Sequence, residues 1–439
     1  MVESDPSGPS TPRRCSLRLK QWSGALLLSG GLGCTSVGSL STPPPDVIFI
    51  TIDTLRMDHV GSFDAASPAQ TPNMDRLAEM GVRYTQAYSP ISVTGPAFVT
   101  LHTGQDPDRH GVRKNIFRGG NQVPEDAETL AKRLKSEGYD TGAFLSGFTL
   151  RPELGLSPGF DAYRFPERSE NKKNNRRDGA KTAKMATTWL EKQDGPVFLW
   201  FHTYDVHGPL NRWSEVPTTA EWDQSIKNLQ HIPAYQRIGQ ISDPDFYAQR
   251  YAKAVEYTDL QVGKILDTLE STGRLERALI VLTADHGETF DERELWFDHG
   301  THATEEQLHV PLVIHFPQGS RSGEVAEELV GLMDVAPTVL NVLEMEPLAA
   351  ADGRSLRLSG SGHTILMGES SHCKSTQEPV LTCAPSGVHG KEISARTNGQ
   401  TVIDSMEAQG AIRQVYDRQT DPNERSPLVD PVVTDGVNL

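Results

Sequence analysis

Short apolar runs alternate with amphipathic segments from residue 46 to residue 345. Such runs are typical of buried strands, whereas an apolar period of about 3.6 residues is typical of helices. The pattern predicts strands at 47–52, 141–145, 196–201, 279–283 and 310–316, and helices at 73–81, 126–137, 178–192 and 247–272. This alternation predicts an α/β fold with a mainly parallel central sheet flanked by helices.

Two stretches depart from the alternation. Pro209–Pro244 is rich in Pro, Gly and aromatic residues and is too long for a plain connection, so we expect a lid or an excursion over the site. Residues 346–439 have few long helical patterns, which predicts a smaller β-rich C-terminal subdomain. The basic run Lys172–Arg177 is interpreted as a solvated loop, with steering of an acidic substrate as the alternative.

The first 45 residues differ in composition from the rest of the chain. Basic residues between Arg13 and Lys20 precede an apolar stretch, Trp22–Leu32, which is short for a membrane span. The segment resembles a bacterial lipoprotein export signal with Cys34 as the lipid-bearing residue, although Gly31 stands where such signals have leucine. We expect export to the cell envelope or periplasm, with residues 1–45 as leader and tether; an ordinary signal peptide or a membrane anchor is the alternative.

Composition limits the class of protein. The 439 residues are 36% hydrophobic and 23% charged, which is typical of a soluble globular chain with one large or two moderate domains. The net charge of −16 argues against a nucleic-acid partner, because nucleic acids require a basic face. If the chain is exported, Cys373 and Cys383 can form a disulfide, and two unpaired thiols are the alternative.

Metal-ligand side chains follow two of the predicted strands. Asp53 comes directly after the strand at 47–52, and Asp285 and His286 come after the strand at 279–283. The carboxyl ends of strands in an open α/β sheet share one crevice, so the three side chains can meet on one divalent cation. Taken alone, Asp53 could equally cap a helix.

Thr94 stands beside a predicted helix start. Pro96 suits the first turn of a helix and Thr103-Gly104 suits its end, so Thr94 is predicted just before the helix N-terminus. Free N–H groups and the helix dipole stabilise a phosphate or sulfate there, together with an alkoxide on Thr94. Capping of the helix by Thr94 is the alternative role.

Several segments occur in an order that resembles the sulfatase family of the alkaline phosphatase superfamily. They are Ile52–His59, Thr71–Ala78, Thr103–Val112, Phe201–His207, Thr283–Glu288, Val310–Leu312 and Val415–Glu424. Independent motifs in one order are far more specific than any one of them. The resemblance covers residues 46 to 428 and implies an alkaline phosphatase-like fold, with residues 46–345 as the catalytic domain.

The resemblance also implies roles for individual residues. Asp53, Asp285 and His286 match the metal ligands of the family. Thr94 takes the place of the nucleophile, which also contacts the metal. His207 resembles the histidine that contacts the sulfate or phosphate oxygens of the substrate.

Four further histidines receive different interpretations. His299 falls where relatives have Lys or His near the leaving group, so it is a candidate for substrate binding and for protonating that group. His302 is a weaker substrate-binding candidate. His202 is interpreted as a core imidazole with satisfied hydrogen bonds, and His309 as a structural residue.

The nucleophile segment departs from the family pattern. Sulfatases have Cys or Ser followed by Pro and Arg at alternate positions, and the Cys or Ser is oxidised to formylglycine; this chain has Thr94, Pro96 and Phe98. Threonine cannot form that aldehyde, so no formylglycine is expected, and water must attack the transferred group to release it. Phosphorus tolerates this attack, which favours phosphoryl transfer.

Counting charges narrows the predicted substrate. One divalent cation cancels Asp53 and Asp285. Phe98 replaces the Arg of the family, and Thr54 replaces a second Asp found in many sulfatases. Because the cation and the side chains together leave little net positive charge, the site should favour a monoanionic substrate over a dianionic phosphate monoester. The monoanionic candidates are a phosphodiester, a phosphonate monoester and a sulfate ester.

The candidate ligands are compatible with one or two metal ions and with several metals. One divalent cation is favoured, but Asp205, His207 and His299 could hold a second, in which case the charge argument fails. Calcium, magnesium and manganese suit carboxylate ligands, and a histidine ligand also admits zinc.

We therefore expect an exported, metal-dependent hydrolase of sulfuric or phosphoric esters, with Thr94 as nucleophile and a small-molecule, glycan or lipid ester as substrate. One alternative is a genuine sulfatase that works without formylglycine. Others are a transferase that passes a phospho-group to an envelope glycan or lipid, and a non-catalytic sulfatase-like binding protein. Membrane contact is expected only through the leader or its lipid.

Overall fold

The computed structural model describes residues 43–116, 121–166, 176–210, 212, 222, 225–371, 392–407, 410–428 and 432–434. These residues belong to one compact unit, Pro43–Leu439. Residues 1–42 of the predicted leader and tether lie outside the described residues, as does the predicted disulfide between Cys373 and Cys383. Within the described ranges, no helix combines the length and the apolar character needed to cross a membrane.

Eight strands form the central sheet. They are β1 (Val47–Ile52), β2 (Val82–Tyr88), β3 (Asp140–Leu145), β4 (Ala162–Arg164), β5 (Val197–Thr203), β6 (Leu279–Ala284), β7 (Leu312–His315) and β8 (Glu324–Gly331). Their spatial order is β4-β3-β5-β1-β6-β7-β2-β8. β7 runs antiparallel to both neighbours and the other neighbouring pairs are parallel, so the predicted mainly parallel sheet is confirmed.

The centre of this sheet consists of β5, β1 and β6. Every residue of the three strands is buried, as expected for parallel strands that are covered on both faces. β1 pairs with both neighbours without a shift in register, so Ile52 lies opposite Thr203 and Ala284. The three strands therefore end level, and the residues after them emerge together at one edge of the sheet.

Helices flank the sheet. They are α1 (Pro72–Met80), α2 (Thr94–Thr103), α3 (Pro107–His110), α4 (Leu130–Ser136), α5 (Gly179–Leu190), α6 (Ile226–Leu229), α7 (Pro244–Ser271), α8 (Glu305–Leu308) and α9 (Val335–Val342). The four helices predicted from the apolar period correspond to α1, α4, α5 and α7. The helix predicted from Pro96 and Gly104 is α2, which ends where Gly104 adopts a left-handed φ of 69°.

A second sheet lies in the C-terminal part of the chain. Its antiparallel strands are β9 (Leu366–Glu369), β10 (Glu392–Arg396), β11 (Gln400–Glu407), β12 (Gly410–Asp417) and β13 (Val432–Thr434). They lie in the order β13-β12-β11-β10-β9. The predicted β-rich character of this part is confirmed.

The interpretation of Lys172–Arg177 as a solvated loop is wrong for its last two residues. Arg176 is half-buried and donates to the carbonyl oxygens of His207 and Pro209, at 2.9 and 2.7 Å. Arg177 is also half-buried and donates to three backbone carbonyls. Both guanidiniums thus donate to backbone carbonyl oxygens of the protein, while residues 172–175 lie outside the described ranges.

Candidate active site and metal centre

The three predicted metal ligands lie at the level ends of β1 and β6. Asp53, Asp285 and His286 are fully buried, and one ligand atom of each lies within 4.8 Å of those of the other two. The Asp53 N–H donates to the carbonyl oxygen of Thr203 at 3.0 Å, which extends the pairing of β1 with β5 by one residue. The predicted meeting of the three side chains is found.

The three side chains fit a divalent cation. In the described structure, Asp53 Oδ1 and Asp285 Oδ2 are buried and accept no hydrogen bond. Burial and the nearby charge of Asp285 raise the pKa of Asp53 well above its usual value. Two carboxylates this close and this buried are stable as anions only beside a positive charge.

Backbone groups orient the ligands. Asp285 Oδ1 accepts from the N–H of Thr54 at 3.0 Å. His286 Nδ1 donates to the carbonyl oxygen of Gly287 at 2.8 Å, so the lone pair of the neutral ring lies on Nε2. The set is two carboxylates and one imidazole, which suits calcium, magnesium, manganese or zinc.

Thr94 faces the metal ligands and does not cap its helix. Its Oγ1 lies 3.4 Å from Asp53 Oδ2 and 3.5 Å from His286 Nε2. It is the first residue of α2, where the cap position is Val93 and no side chain caps the helix. The alternative role of Thr94 as a helix cap is therefore excluded.

The predicted anion site at the start of α2 needs a correction. The N–H of Gly95 donates to Asn115 Oδ1 at 2.7 Å, Pro96 has no N–H, and that of Ala97 donates to the Val93 carbonyl oxygen at 3.3 Å. Most of the N–H groups that were expected to be free for an anion are therefore already hydrogen-bonded or, at Pro96, absent. Asn115 is a site residue that no sequence pattern indicated.

Position 98 is apolar and completely buried. The ring of Phe98 packs edge-on against Trp200 and His202, with ring centroids 5.4 and 5.1 Å apart. It therefore brings no positive charge to the place where sulfatases have arginine.

His202 lies beside the candidate metal site, and one of its ring nitrogens has no hydrogen bond within the described residues, unlike the core imidazole with satisfied hydrogen bonds that was predicted. Its Nδ1 lies 3.1 Å from Thr51 Oγ1, but in the described structure its buried Nε2 has no hydrogen-bond partner. That nitrogen lies 3.5 Å from Asp53 Oδ2. Burial lowers the pKa of His202 to about 4, so the ring adds no charge at neutral pH.

The rings of His286, His299 and His207 form a continuous row. His299 stacks on His286 with centroids 4.7 Å apart and meets His207 edge-on at 4.8 Å. The ring of His207 stacks on Tyr204 at 4.2 Å. The structure thus places His299 against the predicted metal ligand His286, and His207 next to His299 in the same row.

The His207 ring is neutral at ordinary pH. Its Nδ1 donates to the carbonyl oxygen of Gly208 at 2.6 Å, and burial lowers its pKa to about 3. The neutral ring offers an acceptor at Nε2, so it donates to an anionic oxygen only after gaining a proton.

The residues considered for a second cation have other partners. Asp205 forms an ion pair with Arg212 at 2.5 Å and accepts from Thr203 Oγ1 at 2.8 Å. His299 Nδ1 lies 3.3 Å from Glu288 Oε1. These contacts occupy the carboxylate that a second cation would need.

His302 and His309 have contacts elsewhere. His302 Nδ1 lies 2.9 Å from an oxygen of Glu392, which belongs to β10 of the C-terminal sheet. These contacts give no support to substrate binding by His302. His309 stacks on Tyr88 at 4.7 Å and pairs with Glu305 at 2.6 Å, which agrees with its interpretation as structural.

Part of Pro209–Pro244 reaches the site. The ring of Tyr235 lies 6.2 Å from that of His207. Gln236 Nε2 donates to Glu288 Oε1 at 3.1 Å and to the Phe297 carbonyl oxygen at 3.0 Å. The sequence pattern indicated the excursion but not these contacts.

Comparisons with known proteins agree with the fold. The Sulfatase family model matches residues 45–345. The chain is 23% identical over 427 residues to an N-acetylglucosamine-6-O-sulfatase of Bacteroides thetaiotaomicron, with 75% of this chain and 74% of that protein covered. It is 24% identical over 398 residues to a multifunctional alkaline phosphatase superfamily protein of Trinickia caryophylli, with 71% and 76% covered. The crystal structure of a phosphonate monoester hydrolase of Agrobacterium radiobacter superposes with a TM-score of 0.68 and 20% identity, over 88% of this chain and 91% of that one.

The match covers more than half of the chain, and its range includes the three residues that could hold a metal ion. Enzymes of this family use a divalent metal ion, which the buried carboxylates and imidazole fit. The chain belongs to the sulfatase family and is a hydrolase of sulfuric or phosphoric esters.

Proposed function

We propose that this hydrolase acts on phosphodiesters or phosphonate monoesters and uses Thr94 as its nucleophile. The position of Thr94 Oγ1, 3.4 Å from Asp53 Oδ2 and 3.5 Å from His286 Nε2, is the observation that supports this proposal. A metal ion held by these side chains supplies positive charge that lowers the pKa of the hydroxyl and polarises the ester.

The chemistry of threonine favours phosphorus over sulfur. The Cβ of Thr94 carries a methyl group, so oxidation cannot give the aldehyde on which formylglycine sulfatases depend. Release of the covalent ester then requires water to attack the transferred group, which phosphorus accepts more readily than a sulfate ester does.

The charges around Thr94 favour a monoanionic group. Phe98 is buried and apolar, and His207 is neutral because burial lowers its pKa to about 3. Two carboxylates offset one divalent cation, so little positive charge is left for a dianionic phosphate monoester.

His299 is proposed to protonate the leaving group. Its ring contacts the rings of both the metal ligand His286 and His207, at 4.7 and 4.8 Å between centroids. A donor at this place can give a proton to the oxygen that leaves when Thr94 attacks.

The test is a panel of 4-nitrophenyl esters assayed while Ca²⁺, Mg²⁺, Mn²⁺ or Zn²⁺ is titrated. The panel contains a sulfate, a phosphate monoester, a phosphodiester and a phosphonate monoester. We expect one metal ion per chain to support activity and the two monoanionic phosphorus esters to give the highest kcat/KM. Dominant turnover of the sulfate ester would contradict the proposal.

Matched variants at position 94 test the nucleophile. Thr94→Ala should lower kcat by about 10³-fold or more, while Thr94→Ser keeps a hydroxyl and should stay within about tenfold of the wild type. Full turnover by Thr94→Ala would exclude the mechanism. If added alcohols receive the phospho-group faster than water does, the enzyme is a transferase.

A further inference from the structure

We propose that Glu288 is the positioning residue for His299 and that Gln236 holds the Glu288 carboxyl group in place. This inference rests on the proposed role of His299 in protonating the leaving group. Glu288 is not among the residues that match the metal ligands, nucleophile or substrate-contacting histidines of the family.

The carboxyl group of Glu288 is buried between two hydrogen-bond donors. Glu288 is fully buried, and its Oε1 lies 3.3 Å from His299 Nδ1 and 3.1 Å from Gln236 Nε2. Oε1 can accept both hydrogen bonds whether the carboxyl group is ionised or protonated. The contact selects Nδ1 as the ring nitrogen bound to the protein, so Nε2 is the nitrogen that serves the substrate.

The backbone beside Glu288 is fixed from several sides. A Cβ on Gly287 would lie 2.1 Å from the carbonyl oxygen of Glu306, so only glycine fits there. The carbonyl oxygen of Glu288 accepts from Arg56 Nη1 at 3.0 Å. The N–H of Thr289 donates to the carbonyl oxygen of Asp298, the residue before His299, at 3.0 Å. The carboxyl group and the imidazole are therefore carried by two backbone segments that are bonded to each other.

Gln236 links this pair to the second histidine. A Cβ on Gly208 would lie 1.5 Å from Gln236 Oε1, so the amide packs directly on the Gly208 backbone. The Gly208 carbonyl oxygen accepts from His207 Nδ1 at 2.6 Å. One side chain from the 225–244 segment thus contacts the hydrogen-bond acceptors of both His299 and His207.

A buried pair of histidine and carboxylate is not by itself a sign of catalysis. His302 and Glu392 form such a pair at 2.9 Å in contact with the C-terminal sheet. What distinguishes His299 is its ring contact with the metal ligand His286. The pair of His302 and Glu392 therefore offers a matched control within the same molecule.

In the proposed step one bond to phosphorus forms and another breaks. The bond between Thr94 Oγ and phosphorus forms, and the bond between phosphorus and the leaving oxygen breaks with its electron pair going to that oxygen. A proton on His299 Nε2 moves to the leaving oxygen, and the proton of Thr94 is lost to water, since a metal ion bound beside the hydroxyl would lower its pKa. Glu288 takes no part in bond making; it holds the ring that delivers the proton.

The test compares hydrolysis rates of phosphodiesters that differ only in their leaving group. Wild type, Glu288→Ala, Glu288→Gln, Gln236→Ala and Glu392→Gln are assayed with phosphodiesters whose leaving groups are 4-nitrophenol, phenol and a simple alcohol. Glu288→Ala should lose less than about tenfold in kcat with 4-nitrophenol, which leaves without a proton, and about 10²-fold or more with the alcohol. Glu288→Gln keeps an acceptor oxygen and should restore most of that loss, and Gln236→Ala should show the same trend more weakly.

Two controls separate positioning from structural damage. Glu392→Gln should change all three rates by one common factor, and metal affinity measured by calorimetry should be the same in Glu288→Ala as in the wild type. An equal loss for all leaving groups in Glu288→Ala, or a lowered metal affinity, would overturn the inference. Failure of the proposed function is distinguished by the wild type, which would then lack activity on phosphodiesters or keep it in Thr94→Ala.

Discussion

Two regions of the molecule bury several charged groups and treat them in opposite ways. One is the metal centre of Asp53, Asp285 and His286. The other, here called the arginine network, consists of Arg396, Glu305 and Glu424 between the central sheet and the C-terminal sheet.

The arginine network contains its own cation, which lies between the two carboxylates. Arg396 Nη2 lies 3.2 Å from Glu424 Oε1, and its Nε lies 3.6 Å from Glu305 Oε2. The guanidinium also lies over the ring of Tyr88, 5.0 Å from its centroid. The metal centre has no such cation: among the described residues, the ion-pair partners of Asp53 and Asp285 are histidines, His202 and His286.

The difference separates structure from function. A buried charge costs free energy unless an opposite charge lies beside it. The arginine network meets that requirement with its own side chains and joins two sheets. The two carboxylates of the candidate metal centre need a cation from solution. Their excess negative charge is therefore what enables the centre to bind a metal ion.

The largest effect, on metal affinity and turnover, is expected when one of the two negative charges at the metal centre is removed. Asp53→Asn deletes one of two anionic ligands, so metal affinity should fall by about 10²-fold or more and turnover by about 10³-fold. Stability without metal should not fall, because burial and Asp285 already hold the pKa of Asp53 high. Calorimetry with the metal and urea unfolding in chelator measure the two quantities. A metal affinity equal to that of the wild type would contradict the assigned ligand set.

The opposite pattern is expected in the arginine network. Arg396→Met leaves two buried carboxylates without their cation and should lower the free energy of unfolding by about 3–5 kcal/mol. Metal affinity should not change in protein that remains folded. Arg396→Met combined with Glu424→Gln should recover part of the loss. Urea unfolding checks this, and equal stability of Arg396→Met and the wild type would show that the network is dispensable.

Metal removal should affect stability through the metal centre alone. A ligand at about 100 times its dissociation constant stabilises the folded chain by about 2.7 kcal/mol. This increment should appear in the wild type and in Arg396→Met and should be absent from Asp53→Asn. Thermal unfolding with and without chelator measures it. An increment retained in Asp53→Asn would place the stabilising metal elsewhere.

The smallest effect is a dependence of stability on pH that arises in the arginine network. Burial raises the pKa of Glu424 from 4.5 to about 7 in the folded chain. The folded state therefore binds this proton more tightly than the unfolded state does, and the stability it contributes is lost as pH rises from about 4.5 through about 7. One proton limits the slope to about 1.4 kcal/mol per pH unit. Unfolding in chelator across this range should show a shallower slope in Glu424→Gln than in the wild type, and identical slopes would exclude this group.

The sequence predicted the centre of the fold better than its edges. β1, β5 and β6 each begin with at least four consecutive apolar residues because both faces are covered, and the predicted bounds differ from the observed ones by at most two residues. β2, β4 and β8 were not predicted, because partly exposed strands mix polar and apolar residues and lose the pattern.

The candidate site divides in the same way. Asp53, Asp285 and His286 were predictable because each directly follows or nearly follows a buried strand, and strand ends meet at one edge. Asn115, Glu288 and Gln236 were not, because their contacts depend on how loops fold back on the sheet. The spacing of residues along the chain does not predict how these loops fold.

The level ends of β1 and β6 have a consequence for how the protein folds. The hydrogen bond between Thr54 and Asp285 joins residues 231 positions apart, so the ligand set exists only after a very distant strand has docked beside the first. Long-range pairing of this kind is slow and comes late in folding. Tight metal binding during refolding should therefore appear as a delayed signal, and its appearance marks the moment when the middle of the sheet has closed.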